Sequence, residues 1–294
     1  MLSRTHWSDH IATLDADTQF REITRILGTH EFPWDTLQAL SFALFRTYAV
    51  PSIGELLDET GEFTQRVQKR YDDTGILLEE VLEHGVSQGR GRQAVRRINQ
   101  MHGMYDISND DMLYVLCTFV VMPPRWIANY GYRELTDHEV RALTNYYREL
   151  GRHMNITQMP EDFAGFERFL DDYEAAYFKF SPGGRRVANS TLDLMTTFFP
   201  NNLAPKPLVK RFSYALMEEH LLRAFRYPRP RAWERRTALR LMRLRVRLIA
   251  RMPARRKPKM ARDFGYFRSY PDGFDVNSLG TFKHGAHQAQ VNAS

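Results

Sequence analysis

The sequence predicts an all-α protein built as a single large helical domain. Three observations carry this. Apolar residues recur at helical spacing through most of the chain, and capping residues and Pro or Gly stops punctuate it at helix-length intervals. Valine and isoleucine sit mainly inside those helical patterns, with no sustained alternation to suggest a sheet. The 294 residues, 43% of them hydrophobic, suffice for one large core or two smaller ones. No composition break divides the chain before residue 200, and no internal repeat is evident.

Residues 17–28 read as a short helix closed by Gly28, and Pro33 precedes a helix from Trp34 to Tyr48 that Pro51 ends or bends. Thr60 and Gly61 open a longer helix through Leu82, stopped at Gly85. Its inward stripe is Phe63, Val67, Thr74, Leu78 and Val81, and Arg70 falls on the same stripe, four residues before Thr74. An arginine there either finds a buried partner or snorkels to the surface. Ser87–Arg92 is Gly-rich but lacks GxGxxG, so it reads as a spacer between helices.

Val95 to Tyr130 is the most informative stretch. A helix ending near Tyr105 carries Val95, Ile98 and Tyr105 inward, and His102 completes that seam. A histidine buried between core helices is a core histidine held by hydrogen bonds, the commoner case, or a metal or heme ligand. Ser108 with Asp111 suggests a capping box for a second helix, Asp110 to Val121. That helix is apolar on most faces and so deeply buried, and Pro123 and Pro124 stop it.

Thr136 with Glu139 is another capping box, opening a helix to Leu150 that Gly151 ends. Pro160 starts a helix whose aromatic stripe, Phe163 to Tyr177, reads as core packing. Ser181–Gly184 reads as a turn, followed by helices over 187–199, 206–225 and 231–251. His84, His138, His153 and His220 read as surface or packing residues, and Met112 and Met122 as core filling. Residues 1–262 form the helical domain, and 263–294 a tail whose last dozen residues are expected to be disordered.

Charge is unevenly placed. Residues 223–262 hold 16 basic side chains against one acid, Glu234, a net of +15. The rest of the chain, with 25 bases and 34 acids, carries −9. On the 231–251 helix, Leu241, Leu244 and Leu248 form a strip beside Arg240, Arg243, Arg247 and Arg251. That pattern suits an anionic membrane surface better than nucleic acid, since no recognition motif precedes it. The competing arrangement packs the leucines on the acidic body and solvates the arginines, and the sequence leaves both open. One cysteine, Cys117, excludes a disulfide framework and any cysteine-based zinc site and fits a reducing compartment. With no apolar run at the start and none long enough to span a bilayer, the expectation is a cytoplasmic protein, soluble or peripheral.

Five stretches together resemble one family: KRYDDT (69–74), RRINQMHGMYDISNDDMLYVLCTFVVMPPRWI (96–127), GYRELTDHE (131–139), GRHMNI (151–156) and YPDGF (270–274). They are similar to the mpaB-type oxygenases, which include the latex-clearing protein, a rubber oxygenase, and they lie nearest the bacterial mpaB-like branch. The resemblance covers roughly residues 30–280. It implies a globin-like all-α core holding heme b, and oxidation of a hydrophobic, isoprenoid- or lipid-like substrate with dioxygen, with oxidative C=C cleavage as one outcome. It also implies that His102 is the iron ligand, within the motif matching 97–104, and that Arg70 and Thr74 lie beside the heme as catalytic or cofactor-binding residues. Where some rubber oxygenases carry a lysine just before that threonine, this chain has Asp73. The general-base glutamate of the rubber enzymes has no assigned counterpart, although Glu55 lies near its expected region. The alternative is a protein that binds heme or a membrane surface without turnover.

Overall fold

The computed structural model describes residues 2–281; the tail end expected to be disordered lies outside the described residues. Among the described residues there are fourteen α-helices and no strand, so the chain is all-α. They are α1 (His6–Ile11), α2 (Phe20–Ile26), α3 (Pro33–Thr47), α4 (Pro51–Glu59), α5 (Glu62–Gln65), α6 (Val67–His84) and α7 (Gly89–His102), then α8 (Asn109–Tyr130), α9 (Asp137–His153), α10 (Phe163–Tyr177), α11 (Pro182–Met195), α12 (Lys206–Leu216), α13 (Glu219–Ala224) and α14 (Ala232–Ala250).

The central helix is α8. Ser108 caps it by accepting from the Asp111 amide at 3.0 Å, but Asp111 does not reach back. Its carboxylate instead accepts from Ser52 and Tyr173, so the expected capping box is only half formed. The helix does not stop at Pro123 and Pro124 but runs on to Tyr130. Two lost amide donors weaken one turn. Burial of Trp126 and Ile127 beyond the prolines, against the α2–α3 layer, outweighs that loss. Helix α3 packs along α8, with α9 and α10 on its other sides.

Other boundaries moved for local reasons. Pro51 begins α4 rather than ending α3 only, because proline is well suited to the first helical position. The long helix opening at Thr60 is broken at Arg66, whose φ of −136° lies outside the helical range, so a short α5 precedes α6. Helix α7 closes at His102, one turn before the expected end. Gly151 does not stop α9, whose capping box at Thr136 and Glu139 is complete. Ser181 accepts from the Gly184 amide at 3.1 Å and so starts α11 where a turn was expected. The 206–225 helix is two helices, parted at Met217 and Glu218. Gly184 serves a crossing: a Cβ added there would lie 2.2 Å from the Tyr48 carbonyl oxygen, and one at Gly54 would lie 2.7 Å from the Gly184 Cα. Only glycines let α4 and α11 approach so closely.

One buried charge cluster ties these layers together. Arg46 of α3, 1% exposed, donates from Nε and Nη2 to the Glu174 carboxylate of α10 at 2.5 and 2.8 Å. Tyr114 of α8 donates to the same carboxylate at 3.2 Å, and His220 Nε2 of α13 lies 2.7 Å from it. Burial raises the Glu174 pKa, but the hydrogen bonds from Arg46 and His220 outweigh it and hold the carboxyl at about 2. Removing one partner strands a buried charge. Glu174→Ala is therefore expected to lower unfolding free energy by about 3 kcal/mol or more. Arg141→Ala, which breaks an exposed pair with Asp17, should cost less than about 1 kcal/mol in the same urea titrations. Equal losses would show that the buried cluster does not hold the layers.

Candidate functional site

Helices α3, α4, α6, α7, α8 and α9 leave a cavity of about 560 Å³ between them, within the size range of small-molecule sites. Its walls are mostly apolar, with Leu40, Ile53, Leu78, Ile98, Val115 and Phe119 among them. The side chains singled out from sequence meet here: Arg70, Thr74 and His102 all line it. Arg70 and Thr74 are brought together by the four-residue spacing, and His102 by the packing of α7 on α6.

His102 is the one histidine lining the cavity among the described residues. Its Nδ1 is buried and has no hydrogen-bond partner among the described residues. Burial, and then the nearby charge of Arg70, lower its pKa to about 4, so the ring is neutral at pH 7 with an unshared nitrogen lone pair. The Arg70 Nη1 donates to the Thr74 hydroxyl, which in turn donates to the Arg70 carbonyl oxygen at 3.0 Å. The guanidinium lies 5.3 Å from the Phe63 ring centroid. Arg70, partly buried, is thus tied to Thr74 one turn on and lies over Phe63.

Asp73 is not part of the cavity lining. It is 1% exposed and accepts from Lys69 at 2.7 Å and from the Tyr270 hydroxyl. Glu55 does line the cavity, with one oxygen accepting from the Gly183 amide at 2.9 Å. Sequence reasoning passed over Tyr48, Tyr71 and Glu62, which also line it. Tyr71 lies inside KRYDDT and was within reach of that signal; Tyr48 and Glu62 carry no local pattern. Met260, Ala261, Phe267 and Thr281 come from the segment after α14, which no helical periodicity marks. Of the other histidines, His84 lies 3.4 Å from Glu80, and Glu80, Glu83 and His84 are close enough to hold a cation. Arg90 and Arg262 already pair with these carboxylates, and none of the three residues lines the cavity. They form an ion-pair network.

Residues 34–250 match the family described as ER-bound oxygenase mpaB/B′/rubber oxygenase, catalytic domain. The chain belongs to this family. It is 33% identical over 226 residues to an ER-bound oxygenase mpaB′ of Penicillium brevicompactum, covering 71% of this chain and 53% of the relative. It is 33% identical to that organism's ER-bound oxygenase mpaB, covering 59% and 49%, and 29% identical to an mpaB of Penicillium roqueforti, covering 72% and 76%. The chain thus spans about half the length of the two P. brevicompactum relatives. The mpaB/rubber oxygenase match takes in His102, Arg70 and Thr74 and ends before the segment that supplies Phe267.

A histidine whose folded pKa is depressed favours the fold while neutral. As pH falls below the unfolded value near 6.5, the unfolded chain takes up the proton first, and stability is lost until the folded value near 4 is passed. Between about pH 7 and about pH 5 this contribution amounts to about 2 kcal/mol. His30, also lowered to about 4 by burial, adds to the slope and is unchanged in a His102 variant. Urea titrations at both pH values should therefore show a smaller acid loss for His102→Gln than for wild type. Identical losses would mean that His102 already protonates normally in the folded protein.

Proposed function

We propose that this chain is a heme b-dependent oxygenase that acts with dioxygen on a hydrophobic, isoprenoid- or lipid-like substrate, oxidative cleavage of a C=C bond being one such reaction. The observation that carries the reading is that His102 lines an apolar cavity and has a buried ring nitrogen without a hydrogen-bond partner among the described residues. Family membership supports the oxygenase class. The residues fit the group: a neutral imidazole is a donor that heme iron accepts, and the cavity offers apolar walls for the macrocycle. A bound heme b would supply redox chemistry with dioxygen at its iron.

The rest is the work of the chain's own side chains. His102 would hold the group through a neutral ring nitrogen. Arg70, fixed by Thr74 and Phe63, would present its guanidinium charge to a carboxylate of the bound group. The apolar walls orient the substrate and keep water from competing. His102→Ala should abolish stoichiometric heme binding with helical content unchanged by circular dichroism; full heme occupancy with an unaltered Soret band would sink the assignment. Arg70→Ala should lower heme retention or oxygen consumption well beyond Arg96→Ala, an exposed arginine of α7. Equal effects of the two would remove Arg70 from the site.

A second reading, of the surface rather than the cavity, is favoured by α14. That helix buries only Ala238 and Met242. Leu241, Leu244 and Leu248 are each more than half exposed, as is Trp233. Arg229, Arg235 and Arg245 pair with acids of the body, but Arg240, Arg243, Arg247 and Arg251 are exposed and unpaired among the described residues. Among those residues no helix is long and apolar enough to cross a membrane. We infer that this face rests on anionic membrane, where each free arginine contributes about 1 kcal/mol. In cosedimentation, the protein should bind anionic vesicles at low salt and neutral ones little. Arg240, Arg243 and Arg247 changed together to Gln should weaken that binding while heme content holds. Absence of any low-salt binding would leave the face as solvated surface.

A further inference from the structure

We propose that Phe267 is a specificity-determining residue, the wall that sets how long and how wide a substrate chain fits beside Arg70 and Thr74. The proposal rests on reading the cavity as the oxygenase site. Its starting point is Gly75, the residue after Thr74 on α6. A Cβ built there would stand 2.4 and 2.6 Å from two ring atoms of Phe267, so the ring lies directly against the helix backbone. Both residues line the cavity. No other side chain could occupy position 75 without displacing the ring.

The ring is also fixed from behind. Gln68 donates to the Tyr266 carbonyl at 2.9 Å, and the amides of Arg268 and Ser269 donate to Asp72 at 2.9 and 2.8 Å. These bonds clamp the backbone on both sides of Phe267. Asp72 is fully buried, so water does not compete for it. Tyr71 adds an edge-on contact with ring centroids 6.1 Å apart. A wall held this firmly cannot yield to an oversized ligand by a small loop shift, so its side-chain volume decides what fits.

The test is a length ladder. Primary n-alkanols of increasing chain length compete with Nile red, a neutral apolar fluorophore, for the purified full chain. Phe267→Ala should move the tightest-binding alkanol to a longer chain, and Phe267→Trp to a shorter one. Each added methylene that finds a buried place should tighten binding by about fourfold. Phe267→Leu, a milder change, should give an intermediate shift and stands in for the alanine variant if circular dichroism shows that variant unfolded. Gly75→Ala, which pushes the ring from its seat, should also change the optimum. An identical optimum in every folded variant, or no saturable alkanol competition in wild type, overturns the proposal. Alkanol competition needs neither heme nor turnover. A length shift in a protein that binds no heme would therefore keep Phe267 as the wall and reject the oxygenase reading instead.

Discussion

The rest of the structure depends on an apolar cavity that its helices surround but do not fill. Its volume, about 560 Å³, is within the size range of small-molecule sites, and the surrounding packing keeps it open. The Arg46–Glu174 cluster fixes α3, α8, α10 and α13 relative to one another, so α3 cannot slide inward. The glycine crossing of α4 and α11 packs against the Tyr48 carbonyl at the end of α3 and fixes that corner of the wall.

Helix α6 works on both sides of this boundary. Arg70, Thr74 and Leu78 stand on consecutive turns and face the cavity. Asp72 and Asp73, which do not line the cavity, and Glu79, at its edge, take the amides and hydroxyl of the C-terminal segment. Burial raises the Glu79 pKa to about 7 despite the nearby Arg262 charge. The same helix thus positions the polar groups of the site and pins the segment that closes it. The acidic pair in KRYDDT belongs to the closing function, which is why Asp73 points away from the cavity while Thr74 points in.

Much of this was legible in the sequence. Arg70 and Thr74 share a face because four residues make about one turn, and His102 was placed inward by the gap it fills between Ile98 and Tyr105. The capping box at Thr136 and the limits of the basic helix were equally local signals. What failed was tertiary in origin. Nothing local says that α8 continues through two prolines, because the energy that holds Trp126 and Ile127 in place comes from distant helices. Ser181–Pro182–Gly183–Gly184 reads as a turn until Tyr48 and Gly54 are seen against it. Phe267 is separated from Gly75 by nearly two hundred residues, and their contact leaves no periodic trace in either segment.

We propose that His102 holds a heme in this cavity. A ligand that binds only the folded state raises its stability, and by an amount set by its affinity. The direct measurement is urea unfolding of wild type and His102→Ala, each with and without added hemin. Hemin should raise the wild-type midpoint substantially and leave the variant's close to its heme-free value. Equal stabilisation of both proteins, or none of the wild type, would contradict it.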